Sequence, residues 1–399
     1  MLHRYREVLA HRAIRTAVVV GFFGRLPYFA GGLVVTLHVV QTLGRTYTEA
    51  GLATAMLVLA IAVAGPWRGR LLDRYGLRRV VFPSIFVQAG YAVVAPHLDF
   101  EPFLVAQVVA GLFTIPLQSI LRQAVISAAP DDKRRAALSV DAMTLEVSAG
   151  VAPAIAVAAA TYWSTTWVLT GVFAGNALTA LIVYLVNLPL QRAPLPAGTR
   201  PVRTSTRSWF GPAVILLLVA GVTSTIMFSS LDLATVATLN DADRASWIGV
   251  VMALWAVGSL FGGLLYGGLR RQPNPFVLLM LLALTTMLPA VAGSSVLWLA
   301  LLLIVPGLLG QPALTSTIES LVDRVPEAAR GEAMGWHSTA MTAGLALGAP
   351  IAGMAIDRWG GPGGFLIAGA FGLLAGLVLW ALGKRWVRPV LPPEVDTVV

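Results

Sequence analysis

The sequence predicts an all-α membrane protein of twelve spanning helices in two pseudo-symmetric six-helix bundles, with both chain ends cytoplasmic. Three observations carry that prediction. Hydrophobic residues make up 57% of the chain and charged residues 12%, against roughly 45–50% and ~25% in soluble domains. Apolar runs long enough to cross a hydrocarbon core of ~30 Å recur along the whole length. The chain also contains a copy of itself. Gly111-Leu112, Pro116, Pro130 and Arg134 reappear at one constant offset as Gly307-Leu308, Pro312, Pro326 and Arg330, and after a slip of one residue Ala152-Pro153 reappears as Ala349-Pro350. Duplication of half of a very apolar chain implies two bundles related by a pseudo-two-fold axis, with something held between them.

The spans follow in order. The first, 14–41, is preceded by basic residues and followed by no small-residue cleavage site, so it reads as a retained helix, bent at Pro27. The second, 47–67, ends at Trp67, where an amphipathic ring suits the headgroup boundary. The third is 79–97. The fourth, 102–126, contains Pro116 and the fifth, 136–162, contains Pro153; Trp163 and Trp167 flank the turn into the sixth, 165–188. Segment 191–208 is rich in proline, small polar residues and arginine, buries too little apolar surface to fold alone, and serves as a cytoplasmic linker. It separates a first bundle, 1–190, from a second, 209–399. The seventh span, 210–237, opens at Trp209 and the eighth, 246–268, at Trp247; the ninth is 274–293. The tenth, 296–321, contains Pro312, the eleventh, 333–355, contains Pro350, and Trp359 and Trp386 flank the twelfth, 363–383. Gly258/Gly262, Gly263/Gly267, Gly344/Gly348 and Gly372/Gly376 are small-xxx-small pairs that let backbones approach closely in lipid. Recurrence of Pro116 at Pro312 and of Pro153 at Pro350 predicts bends at equivalent depths in the two halves.

The net charge of +9 is explained by placement. With the N-terminus inside, the basic clusters within 4–15, 68–79, 133–135, 192–207, 270–271, 324–330 and 384–388 all fall on the cytoplasmic side, and the other side has only Arg45, Arg244 and Arg358. That is the positive-inside pattern. The basic loops face anionic lipid, and no aromatic-interleaved basic stripe points to nucleic acid. Zero cysteines exclude disulfides and thiolate metal sites, and the five histidines lack metal-ligand spacing. No phosphate loop, dinucleotide fingerprint or nucleophile elbow is present, so no enzymatic chemistry is expected.

The loop between the second and third spans reads Gly69-Arg-Leu-Leu-Asp73-Arg74-Tyr-Gly76-Leu-Arg78-Arg79. It resembles the signature loop of the major facilitator superfamily, and twelve spans in two halves joined by a basic linker match that family along essentially the whole chain. The resemblance implies a transporter, similar to the drug and metabolite efflux members. It also implies that this loop is a latch between the halves at the cytoplasmic face, with Asp73 beside the N-terminus of the eleventh helix, where the helix dipole favours an anion. Gly69, Asp73, Arg74, Gly76 and Arg78 thereby become gate candidates. The second-half counterpart keeps Leu-Leu and Leu-Arg-Arg but has Tyr266 in place of the aspartate, and Gln107 precedes Gly111 where the drug/proton antiporters usually carry an arginine.

Intramembrane ionisable groups are costly, at ~2.5–3.5 kcal/mol each on insertion scales, and default to functional candidates. Arg25 lies about eleven residues into the first span and Glu146 about ten into the fifth, each ~15 Å deep at 1.5 Å per residue. The resemblance places those two helices in one bundle, so Arg25 and Glu146 are expected as partners, either a proton switch or a fixed neutralising pair. Asp232 is expected near the outer end of the seventh span, as a third proton-coupling candidate. Arg122, Asp141 and Glu319 lie near the cytoplasmic ends and join the gate candidates. Tyr28, Gln107, Gln118, Asn176 and Gln311 offer uncharged hydrogen bonds to a central cavity. The expected function is proton-coupled efflux of an amphipathic or apolar small molecule by alternating access in a bacterial cytoplasmic membrane. No cofactor or metal is expected beyond the proton gradient; the partners are substrate, protons and lipid, with no nucleic acid, and the chain is expected to be a monomer. Two alternatives stand beside it: an uptake symporter or facilitator for sugars or other nutrients, and a non-transporting receptor or scaffold.

Overall fold

A computed structural model describes residues 10–129, 134–187, 209–269, 272–326 and 329–386. Most of these residues are helical, joined by short turns. The first half comprises α1 (Arg12–Leu37), α2 (Tyr47–Tyr75), α3 (Leu77–Val94), α4 (Phe100–Leu112), α5 (Leu117–Ala128), α6 (Arg134–Tyr162) and α7 (Thr165–Val186). The second comprises α8 (Pro212–Asp241), α9 (Ile248–Gly267), α10 (Pro275–Thr286), α11 (Val296–Val322) and α12 (Arg330–Trp386). Gly360, at φ 68° and ψ −173°, divides α12 into two arms. Among the described residues, ten segments are long and apolar enough to cross a membrane, one of them containing both arms of α12, and 275–291 is a shorter apolar segment. The linker expected at 191–208 lies outside the described residues.

Local sequence sets the helix ends. Thr46 caps α2 by accepting from the Glu49 N–H while the Glu49 carboxylate accepts from the Thr46 N–H. Asn274 and Ser295 cap α10 and α11, and Pro212 and Pro275 occupy first-turn positions where a missing N–H costs nothing. The flanks are apolar and outward-facing: Phe23, Val63, Phe86, Leu264 and Leu374 are all exposed, as expected of surfaces solvated by lipid.

Two hydrophobic clusters draw only on residues 14–183 and a third only on 209–379; a fourth, between 231 and 365, also takes in Leu37 and Val157 of the first half. The halves meet where α2 packs on α12 and α6 on α9. The duplication is visible in packing detail. A Cβ on Gly111 of α4 would lie 2.5 Å from the Leu57 carbonyl oxygen of α2, and one on Gly307 of α11 would lie 2.6 Å from the Trp255 carbonyl oxygen of α9. Only glycine permits either approach.

One expected symmetry fails. Pro116 does not bend a continuous helix: residues 113–116 leave the helix, Pro116 sits at the start of α5, and the crossing is in two pieces. Pro312 lies inside the uninterrupted α11. The backbone bonds lost at this break have side-chain replacements in the first half that the uninterrupted α11 does not need.

Candidate functional site

Burial places Arg25 among the largest fully enclosed side chains of the protein, at 0% exposure. Its Nη2 donates to Asp141 Oδ1 on α6 at 2.6 Å and its Nε to Gln118 Oε1 on α5 at 2.9 Å, while Nη1 reaches the Asp141 carbonyl at 3.4 Å. The expected partner was Glu146. Side chains on a helix lean toward its N-terminus, so Arg25 reaches back toward the start of α1 and meets the acid nearer the start of α6. The Glu146 side chain lies outside the described residues. Asp141 and Gln118 therefore belong to this buried cluster, one as counter-ion and the other as a support for the guanidinium, rather than to a gate or an open cavity.

A second buried cation stitches the broken crossing. Arg68, near the end of α2, donates to the carbonyls of Leu112 (3.1 Å) and Val80 (3.0 Å) and to Ser84 Oγ (2.5 Å). Gln88 Nε2 donates to the Ala110 carbonyl at 2.8 Å. These donors replace helix bonds that the interruption at 113–116 removes. Burial lowers the Arg68 pKa to about 10, which leaves it charged at neutral pH. Beside the break is a cavity of about 10 Å³ lined by Tyr28, Gln88, Thr114 and Asn176, room for about one water. Tyr28 and Asn176 thus face a pocket inside the first half. Gln107 is fully buried beside Tyr91 on the neighbouring α3, inside the first half.

The interface itself holds a polar network at the ends of the helices remote from Arg12 and Trp386, here called the distal end. Asp357 of α12 accepts from the Tyr47 N–H at 2.9 Å, from the Thr48 N–H at 3.0 Å, and from the Thr48 hydroxyl. The Tyr47 hydroxyl donates to Asp241 Oδ1 at 3.2 Å and receives from Asn240 Nδ2 at 3.3 Å, and Gln41 Nε2 donates to Asn240 Oδ1 at 2.9 Å. The turn after α1 and the start of α2 are tied to α8 and α12. Bare backbones allow it: a Cβ on Gly51 would meet the Ala349 carbonyl, one on Gly353 the Tyr47 carbonyl, and one on Gly249 the Ala154 backbone. None of these residues stood out in the sequence alone.

Beneath that network lies Asp232. Phe228 packs edge-on against Trp255 of α9 at 5.9 Å, and Ser229 faces Gly348 of α12. Asp232 follows one turn on from both. α9 in turn packs on α6 of the first half and α12 on α2. Asp232 is half-buried and has no hydrogen bond or ion pair among the described residues. It had been expected near the end of its span. The helix runs on to Asp241, which leaves Asp232 nine positions, ~14 Å, from the distal end.

The remaining candidates scatter. Glu319 accepts from the Tyr266 hydroxyl at 2.7 Å, so the tyrosine that replaces the second-half aspartate is bonded within its own half. Arg78 Nε donates to the Tyr184 carbonyl at 3.2 Å and its guanidinium lies over that ring, holding α3 to α7. Arg74 lies over the Tyr75 ring. Arg122 is exposed, and Gln311 is half-buried on the side of α11 that meets Gly263 of α9. Gly69 has open space around it and Gly76 takes φ 80°. The Asp73 side chain lies outside the described residues.

The sequence profile of the Major Facilitator Superfamily matches residues 17–276 and again 241–397. No curated protein matches the sequence. Among solved structures, a bacterial homolog of the human lysosomal transporter Spinster, in an inward-facing and occupied conformation, aligns with a TM-score of 0.75 at 14% identity over 98% of this chain and 99% of that one. The nucleoside transporter NupG aligns at 0.72 with 13% identity over 93% and 100%. The inward-open xylose transporter XylE from E. coli aligns at 0.67 with 14% identity over 92% and 95%. At these identities the likeness is one of fold.

Proposed function

This chain belongs to the major facilitator superfamily, a family of transporters and not of enzymes, and on that premise we propose that it is a proton-coupled exporter of amphipathic or apolar small molecules. The reading takes the bundles as 1–190 and 209–399 joined by 191–208. It counts the two arms of α12 and the short apolar segment as separate crossings, which makes twelve and puts both ends in the cytoplasm. The distal end is then the outer face of a bacterial cytoplasmic membrane, and the closed network there belongs to a state open to the cytoplasm.

The observation that carries the proposal is Asp232. It is a half-buried carboxylate that this reading sets on the inter-half face, beneath a closed distal end, without the cation that neutralises Asp141. An unpaired intramembrane acid is suited to take up and release a proton as the two halves rock about it. The inward proton supplies ~2.3 kcal/mol per 100 mV of membrane potential, and the aromatic neighbours Phe228 and Trp255 suit a greasy substrate.

The test is flux in proteoliposomes under an imposed pH gradient, with lipophilic cations, drugs and sugars as candidate substrates. Asp232→Asn is expected to abolish proton-driven flux and to keep substrate counterflow. Undiminished proton-driven flux in that variant removes Asp232 from the mechanism and returns attention to Glu146. A second reading, uptake of a polar solute, draws on the fold-mates described as xylose, nucleoside and peptide transporters; sugar counterflow without proton movement would select it.

A further inference from the structure

The octapeptide that ends α2, Gly69-Arg-Leu-Leu-Asp73-Arg74-Tyr75-Gly76, has a second copy where the first arm of α12 ends: Gly353-Met-Ala-Ile-Asp357-Arg358-Trp359-Gly360. Glycine, aspartate, arginine, an aromatic residue and glycine recur in register. The copies also share a backbone. Gly76 takes φ 80°, ψ 168° and Gly360 takes φ 68°, ψ −173°, a region essentially reserved for glycine, and each stops a helix there. The two copies lie at opposite ends of the molecule, because α2 runs away from the distal end and the first arm of α12 runs toward it.

We propose that Asp357 is a positioning residue of the transport cycle: it is the distal latch, holding the halves together by capping α2, and it releases when the distal end opens. This rests on the alternating-access reading above and not on proton coupling. The cap is built for an anion. The first-turn N–H groups of Tyr47 and Thr48 have no partner within α2, they lie at the positive end of the helix dipole, and the Asp357 carboxylate accepts both together with the Thr48 hydroxyl. Gly353 is what allows the approach, since a Cβ there would lie 2.5 Å from the Tyr47 carbonyl oxygen. The bond is also releasable. Tyr47, Thr48 and Asp357 sit at the helix ends, where water replaces each lost partner once the arms part, so separation leaves no orphaned polar group in lipid. α2 thus carries one copy of the motif at its far end and receives the aspartate of the other copy at its near end.

The chain contains no cysteine, so a single reporter introduced as Ser229→Cys, beside Asp232, reads the opening directly. A membrane-impermeant maleimide is applied to the distal side of oriented vesicles, without substrate or pH gradient. Asp357→Asn is expected to raise the distal labelling rate about tenfold and to lower labelling from the opposite side, and Asp357→Glu to restore most of the closed behaviour. Thr48→Val, which keeps both N–H donors, is expected to raise distal labelling about twofold, and it covers the case in which Asp357→Asn does not fold. Asp243→Asn, an exposed acid at the same end without a role in the cap, serves as the control and should match the parent. Unchanged distal labelling in Asp357→Asn, or labelling raised equally from both sides as simple loosening would produce, overturns the latch. Proton-driven flux is measured separately, so that result leaves the transport reading standing, and loss of the transport reading's proton step leaves the latch standing.

Discussion

The two halves meet the same architectural position with different chemistry. Ser148 of α6 donates to the Phe22 carbonyl of α1 at 3.3 Å, and Gly344 of α12 lies against the Val222 carbonyl of α8. The register that matches those contacts also matches Arg25 with Thr225 and Asp141 with His337. In the first half the position holds a buried ion pair. In the second, the Thr225 hydroxyl folds back onto the Gly221 and Val222 carbonyls, and His337, buried, faces Gly221 with its Nε2 unpartnered among the described residues. The second half's unpaired acid is instead Asp232, on a different face. On the proposed function, fixed charge has settled in one half and responsive charge in the other, so that a duplicated scaffold divides rigidity and chemistry between its copies.

The largest effect should come from breaking the fixed pair. Asp141→Ala strands a guanidinium in the interior, which costs about 3–5 kcal/mol, and should sharply lower the unfolding midpoint in detergent; Arg25→Leu combined with Asp141→Leu should recover most of it. A single variant as stable as the parent would break the contrast. Next come the symmetric glycines. Gly111→Ala and Gly307→Ala each push a methyl into a carbonyl oxygen across a helix pair and should cost about 1–3 kcal/mol apiece; a large cost at only one of them would show that the halves differ in packing as well as in charge. The smallest effect should be His337→Leu, within about 1 kcal/mol, because it removes an unpartnered polar atom rather than a bond. A loss comparable to that of Asp141→Ala would mean that His337 has a structural role equal to its counterpart.

Much of the architecture was legible because lipid makes strong demands on sequence. Apolar runs and the repeated glycines marked the helices and their closest approaches; Gly111 and Gly307 do in space what their recurrence suggested. Depth alone identified Arg25 as buried. It missed Asp141 as a partner, because counting residues locates Cα atoms while a long side chain leaning toward the helix start reaches more than a turn away. Asp232 was misjudged for a similar reason: Thr238, Asn240 and Asp241 look like a loop in composition yet continue α8. The distal network stayed hidden because its residues, Gln41, Tyr47, Asn240, Asp241 and Asp357, are ordinary polar residues at helix ends whose meaning comes only from pairing across the halves. One signal was available, the second copy of the Gly69–Gly76 motif at 353–360.

The interruption at 113–116 has a consequence for how the protein is made. The carbonyls that α4 leaves without helical partners are claimed by Arg68 on α2 and Gln88 on α3, both of which precede α4 in the chain. In hydrocarbon each free carbonyl is costly, and during synthesis the donors are already in place when the fourth crossing leaves the ribosome. Chain order thus makes the donors before the carbonyls they serve.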